Sequence, residues 1–463
     1  MNPALQIDTP MTRAETRASL SLAAIYMLRM LGMFLVLPVL SVFARELPDA
    51  TPQLVGFAIS AYGLTQAIFQ IPFGLWSDRY GRKRLIVLGL LLFAAGSALA
   101  ALSDSIYGII AGRALQGAGA VAGVVMALVA DLTREEHRTK AMALIGVSIG
   151  ISFALSMVIG PVLSGWLGLH GLFWIITALA MLSIVVLYAV VPTPAVSRFH
   201  RDTEVRPASL KEVLANRELL RMDLGIFCLH LVLTATFVVL PLILRDTLQL
   251  QTAKHWHIYL PVFALALASM VPFVVLAEKR HKMKVVFVSF IGLVAVSNVG
   301  FAWLQHDFWS VFGLLYLFFT GFNLLEAMLP SLISKVAPLD LKGTAMGVYS
   351  TAQFLGAFVG GAGGGWVYGH YGIPYVFLFC AAVALLWFMV ALGMKAPRGL
   401  SSLMVNVRGL TQDQASSLSR RLLQIPGVAE AVVLAEDGVA YLKIDKEKLD
   451  RMALNGLLQE LAA

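Results

Sequence analysis

The chain has 463 residues, of which 59% are hydrophobic and only 13% charged, with a mean hydropathy of +0.80; soluble domains carry roughly 25% charged residues, so an ordinary soluble globular protein is excluded. The net charge of +8 follows from where the basic residues sit relative to apolar runs and calls for no nucleic-acid partner. The two cysteines, Cys228 and Cys380, both lie inside apolar runs, which argues against a disulfide framework and against a thiolate metal site.

A helix needs roughly 20 apolar residues to cross a ~30 Å hydrocarbon core, and lipid obliges the backbone to satisfy its own hydrogen bonds. After a polar tail at 1–19, the apolar runs predict spanning helices at 20–44, 52–77, 84–103, 105–131, 140–166 and 171–192. A polar linker at 193–221 separates these from 222–245, 256–277, 284–304, 309–336, 343–368 and 371–394. The first run exceeds the apolar core of about 7–15 residues found in a cleaved signal peptide, and no small-residue cleavage site follows it. Residues 397–463 then change character. Their alternation predicts strands at 403–408, 428–434 and 439–444 and helices at 411–425 and 446–462, with "EDG" (436–438) as a hairpin turn. The expected fold is therefore an all-α polytopic membrane protein of twelve spans, grouped as 20–192 and 222–396, with a small βαββα domain at the end.

Twelve spans place both termini on one side. Outside residues 403–463 that side holds 23 Lys and Arg, whereas the other holds Arg45, Arg245 and Lys254. The excess of basic residues makes the first side cytoplasmic.

The two groups of six repeat each other. "FLVLPVL" (34–40) matches "FVVLPLI" (237–243) with Pro38 and Pro241 in register. "IPFGLWSDRYGRKR" (71–84) matches "VPFVVLAEKRHKMK" (271–284), pairing Asp78 with Glu278, Arg79 with Lys279, Arg82 with Lys282 and Arg84 with Lys284. Duplicated halves are a transporter architecture, with the substrate site near the midplane between them.

These features together resemble the major facilitator superfamily over residues 20–396. "GLWSDRYGRKR" (74–84) fits that family's loop motif Gly-x-x-x-Asp-Arg-x-Gly-Arg-Lys-Arg at every fixed position. "RALQGAGA" (113–120) resembles its helix 4 motif, centred on Arg113 and Gly117. "GPVLSG" (160–165) resembles the helix 5 motif of proton-coupled antiporters through Gly160, Pro161 and Gly165, with Ser164 where a glycine is usual. The terminal domain resembles ferredoxin-like metal-carrier domains, but "VNVRGLTQD" (405–413) stands where a Cys-x-x-Cys would follow the first strand, which disfavours delivery of a soft metal and favours a module that binds an ion, a partner or a second copy of itself.

The resemblance implies that Gly74, Asp78, Gly81, Arg82 and Asp131 form a latch on the cytoplasmic side. Gly74 would let a neighbouring helix approach, Gly81 would allow a tight turn, and Asp78 would face the positive N-terminus of the helix beginning near Gly343. Arg82 would reach Asp131. Arg79, Lys83 and Arg84 serve equally well as plain topology anchors.

Ionisable groups deep in a span cost about 2.5–3.5 kcal/mol on insertion scales and are functional candidates by default. Arg29, Arg113, His230 and Glu326 meet this description, one on each helix that lines the central cavity in the resembled family. Arg29 reads either as a cation facing substrate or as a packing partner of a backbone carbonyl; Arg113 as a proton-coupling group or a structural link between helices. His230 is a candidate because an unperturbed imidazole changes charge near neutrality, and Glu326 is the one carboxylate at depth. Asn323 lies one turn before it. Gln66, Gln70, Gln116 and Gln353 read as links between helices, with Gln116 also a cavity candidate. The glycine run "GGAGGG" (360–365) reads as close helix packing.

The resulting expectation is a secondary active transporter in a bacterial inner membrane, working by alternating access as a proton-driven antiporter that exports a small, drug-like molecule. Its partners are that molecule, protons and the bilayer; it needs no cofactor beyond the proton gradient, no metal, and it is not an enzyme. A symporter or uniporter of a small metabolite, and a ligand sensor signalling through 403–463, are the competing readings.

Overall fold

The computed structural model describes residues 10–193, 205–279, 282–338, 341–395, 400–407, 410–435, 438–445 and 448–462. Residues 194–204 of the linker, the side chains of Glu278 and Lys279, and Glu436 and Asp437 of the expected hairpin turn lie outside the described residues.

The amino-terminal half comprises α1 (Arg13–Phe34), α2 (Leu40–Ala44), α3 (Pro52–Tyr80), α4 (Arg82–Ala101), α5 (Ile106–Ala118), α6 (Ala122–Leu132) and α7 (Glu135–Ala189). After α8 (Leu210–Ala215), the second half comprises α9 (Arg217–Leu242), α10 (Trp256–Lys279), α11 (Met283–Leu304), α12 (Phe308–Val336), α13 (Lys342–Tyr371) and α14 (Ile373–Leu392). Among the described residues nine helices are long and apolar enough to cross a membrane. One of these, Lys140–Ala189, reverses at Gly168, whose φ of +65° suits glycine, and so supplies the fifth and sixth expected runs. The expected runs outside the nine are α1, which carries Arg17 and Arg29, and α13, which carries nine glycines.

Two expected helices are broken. The run at 20–44 divides into α1 and α2 around Pro38, which has no N–H to donate. The run at 105–131 divides into α5 and α6 at Gly119. Each break leaves main-chain carbonyls within the bilayer that side chains must satisfy.

Helix α1 starts earlier than hydropathy implies, because Thr12 and Glu15 cap it reciprocally. Glu15 also accepts from the Arg134 backbone N–H (2.8 Å) and from Arg134 Nε (2.9 Å). Burial would raise this carboxyl, but the Arg134 and Thr12 donors outweigh it and hold it at about 2. A lowered carboxyl stabilises the fold above its unfolded value near 4.5 and loses that contribution as pH falls toward 2. Glu15→Gln should therefore be less thermostable than the native chain at pH 6, with the gap closing across pH 4.5 to 2. A gap that persists at pH 2 would show that the carboxylate charge is not its source.

The C-terminal domain is β1 (Leu400–Asn406), α15 (Gln412–Leu423), β2 (Val428–Leu434), β3 (Val439–Asp445) and α16 (Arg451–Ala462). Its antiparallel sheet has the order β1-β3-β2, matching the expected βαββα chain order. The first strand lies three residues earlier than expected at its start, and the last helix begins at Arg451, not 446. Alternate β3 residues Ala440, Leu442 and Ile444 pack with Leu418, Leu422 and Leu454 of the helices. Strand β1 lies against α7 and α12, one helix from each half.

Candidate functional site

The halves meet most closely through α3 and α13, and backbone makes the contact. A Cβ at Gly56 would stand 2.3 Å from the Gly361 carbonyl oxygen, and one at Gly365 would stand 2.6 Å from that of Pro52. One residue out of phase, a Cβ at Gly356 or Gly360 would stand 2.2 Å from the Phe227 or Leu231 carbonyl oxygen of α9. Two glycine stripes thus let α13 lie against its own half on one side and the other half on the other.

On the side assigned as outer, ion pairs join the halves reciprocally. Arg45 donates to both oxygens of Asp246 at 2.6 and 3.0 Å, and Arg245 donates to Glu46 at 2.7 Å. Arg45–Glu46 and Arg245–Asp246 are 200 residues apart, so the pairs follow the internal repeat. All four side chains are one-third exposed or more, which limits each pair to about 0–1 kcal/mol. The helix 5 motif adds to the same closure. A Cβ at Gly165 would stand 2.5 Å from that of Ala253 in the other half, one at Gly160 would stand 2.5 Å from the Leu35 carbonyl oxygen, and Pro161 accepts from Ser164 Oγ at 2.8 Å.

The opposite end is different. Nothing lies within 4 Å of a Cβ built at Gly74, so the close approach expected there is not made in this conformation. Gly81, with φ +94°, turns the chain from α3 into α4 in one residue. Arg82 is 3% exposed and bonds Asp78, Ser77 Oγ (2.7 Å) and Asp131 (3.2 Å). These partners of Arg82 all belong to the amino-terminal half, and among the described residues Asp78 makes no hydrogen bond to α13.

The deep ionisable residues divide into two groups. Arg29 and Arg113 are 1% and 2% exposed and do not line open space. Arg29 donates to Gln66 Oε1 (2.7 Å) and to the Gly119 carbonyl (3.1 Å) freed by the helix break. Arg113 donates to the Ala58 and Ile59 carbonyls (3.3 and 3.2 Å) and to Gln116 Oε1 (2.7 Å), and lies 4.5 Å from the Tyr62 ring centre. Gln116 is buried as well and donates to Ser97 Oγ at 2.7 Å. The cavity position expected for these three residues is therefore corrected: in this conformation they tie α1, α3, α4 and α5 together.

His230, Asn323 and Glu326 belong to the second half, where α9, α12 and α13 converge. Gln353 Nε2 stands 2.8 Å from His230 Nε2 and 3.5 Å from Glu326 Oε1, so a single amide group bridges the imidazole and the carboxylate. His230 Nδ1 is 3.9 Å from Glu326 Oε2, and 33% of the Glu326 side chain is exposed. Several neighbouring polar atoms are buried without a hydrogen-bond partner: His230 Nδ1, Glu326 Oε2, Asn323 Nδ2, the Tyr349 hydroxyl and both oxygens of Asp223. Asp223 and His230 are two turns apart on α9; Tyr349 and Gln353 are one turn apart on α13. Unpartnered groups on three helices are the signature of a site that takes a ligand or water. Beside it, Phe153 of the first half meets Phe263 (5.4 Å) and Phe322 (6.1 Å) of the second, and Phe322 lies 6.0 Å from His230.

Sequence reasoning did not single out Asp223, Phe153 or the outer ion pairs, and it gave Gln353 only a packing role. The 200-residue register would have found the ion pairs. Tyr349 and Gln353, four apart, would have indicated a shared helix face.

Two six-helix halves with a polar site between helices define a membrane transporter. The Major Facilitator Superfamily profile matches residues 22–361, and the chain belongs to that family. A profile for the YajR YAM domain matches 410–460. The chain is 49% identical over 454 residues to the inner membrane transport protein YajR of Escherichia coli (strain K12), covering 98% of this chain and 99% of that one. It is 26% identical to the multidrug resistance protein MdtH of Proteus mirabilis (strain HI4320), covering 77% and 88%. The fold also matches the crystal structure of the human organic anion transporter MFSD10 (TETRAN), with a TM-score of 0.61, 19% identity, and coverage of 82% and 100%.

Proposed function

We propose that the chain is a proton-driven antiporter that exports small, amphipathic organic cations by alternating access. The observation that carries this reading is the site on α9, α12 and α13. Its open acceptors are the carboxylates of Glu326 and Asp223, while the two deep arginines are engaged elsewhere. A site offering carboxylates without a free cation attracts positive charge, and the phenylalanines beside it suit an apolar body.

Proton coupling follows from the Gln353 bridge. The amide donates to His230 Nε2 and toward Glu326 Oε1, so a proton arriving at His230 Nε2 breaks the first bond and one arriving at the free Glu326 Oε2 weakens the second. Competition between a proton and a cationic substrate for the same carboxylate is the exchange an antiporter needs. The membrane field, about 2.3 kcal/mol per charge per 100 mV, biases the two access states. The relative named for multidrug resistance supports a drug-like substrate.

Everted vesicles with an acid interior and a pH-reporting dye test the reading. Tetraphenylphosphonium should collapse the gradient in vesicles carrying the chain, and tetraphenylborate, an anion of the same shape, should not. Collapse by the anion alone, or by neither, would overturn the proposal. A regulatory role for the C-terminal domain is supported by β1, which lies against a helix of each half. Removing residues 400–463 should change the rate of cation exchange and leave its proton coupling intact.

A further inference from the structure

A groove of about 630 Å³ runs between the start of α1 and the last turn of α7, far from the polar site. Arg13, Arg17, Leu20 and Ala24 line one wall and Val186 and Val190 the other. The first four are spaced four, three and four residues apart, which puts them on one face of α1. The face changes character along its length, with two exposed arginines at the end, then leucine and alanine. Leu20 opens the first apolar run, so at 1.5 Å per residue Arg17 and Arg13 stand about 5 and 10 Å outside the hydrocarbon edge. That is the depth of phospholipid headgroups.

The charge of this face is uncompensated. Among the described residues neither Arg13 nor Arg17 has an ion-pair partner; Arg17 reaches only the Ala189 carbonyl, at a long 3.5 Å. The one acid in the first turn, Glu15, is held on another face by Arg134 and Thr12. Two guanidinium groups above an apolar trough match a ligand with an anionic head and hydrocarbon tails, and basic pockets between helices on the cytoplasmic side bind such lipids. A soluble anion would gain nothing from Leu20, Ala24, Val186 and Val190.

We propose that this groove holds one anionic phospholipid of the cytoplasmic leaflet, with its phosphate between Arg13 and Arg17 and an acyl chain along Leu20, Ala24, Val186 and Val190. The lipid fastens the first helix of the amino-terminal half to the last, at their cytoplasmic ends. The site is independent of the proton-coupling residues and of what the chain exports.

Native mass spectrometry of the purified full chain tests this by titration with phosphatidylglycerol and phosphatidylcholine of identical acyl chains. A basic residue near an anionic surface strengthens attraction by about fivefold, so the native chain should prefer phosphatidylglycerol by about thirtyfold. Arg13→Gln/Arg17→Gln should abolish the preference, and Arg13→Lys/Arg17→Lys should keep most of it. Lys140→Gln/Lys211→Gln, which removes the same charge elsewhere on the basic face, should leave it unchanged. Soluble glycerol 3-phosphate should not displace the lipid. Equal retention of the two lipids by the native chain, an unchanged preference in the double glutamine variant, an equal loss in the Lys140/Lys211 control, or displacement by glycerol 3-phosphate would each overturn the assignment.

Discussion

Glu326→Gln lowers proton-driven exchange by about a hundredfold, the low end of what a positioned proton-transfer group contributes. Glutamine keeps the size of the protonated side chain and can still meet Gln353, so the fold has no reason to fail. What is lost is the site's ability to exist in two charge states. The variant's residual flux should also be flat across pH 6 to 8, where the native chain responds. His230→Gln is the informative companion: it retains a polar group opposite Gln353 but cannot carry the proton, and its loss should be smaller because the carboxylate remains. If Glu326→Gln preserves the native response to an imposed pH gradient, the coupling carboxylate lies elsewhere, and Asp223 becomes the next candidate.

Gly56→Leu has the second large effect, and on conformation. The outer closure brings Gly56 so near Gly361 and Gly365 that any side chain must part the helices. Overpacking of this kind costs roughly 1–3 kcal/mol, which shifts a balanced equilibrium between access states by about fivefold to 150-fold. The variant should dwell open to the outside and transport at least about fivefold more slowly. Ser60 reports it: the residue is fully buried in this conformation, facing Gly361, and the native cysteines are buried too. A Ser60→Cys chain should resist a membrane-impermeant maleimide applied to intact cells and become reactive once Gly56→Leu is added. Gly74→Leu should not raise this reactivity, since nothing surrounds Gly74 here. Unchanged labelling with Gly56→Leu would mean that the α3–α13 crossing does not control outer access.

The apolar runs were legible because charge is expensive in lipid, and Glu326 and His230 stood out for the same reason. Depth along a helix is readable from residue number, but the direction a side chain faces is set by packing. Depth therefore left Arg29 and Arg113 open between a cavity and a packing role, and in the structure they turn into the amino-terminal bundle. The reason became visible only with the break at Gly119, whose freed carbonyl takes Arg29. Gln353 could not be matched to His230 and Glu326 in advance, because its partners lie 123 and 27 residues away on other helices. Asp78, Arg82 and Asp131, expected from the motif to form a latch, make ion pairs in this conformation. Which half the motif engages depends on the conformation, and a single sequence does not specify one.

The glycine stripes of α13 have a consequence for the cost of moving. Ordering a buried side chain costs from nothing for glycine to about 1.5–2 kcal/mol for long flexible residues. Where α3 meets α13, the surfaces that touch are largely main chain, which is ordered whether or not the helices are in contact. Docking and undocking there freeze and release almost no rotamers. The seam is consequently close to thermoneutral in configurational terms, and small inputs such as a bound cation or a single proton suffice to decide which face of the membrane the site can see.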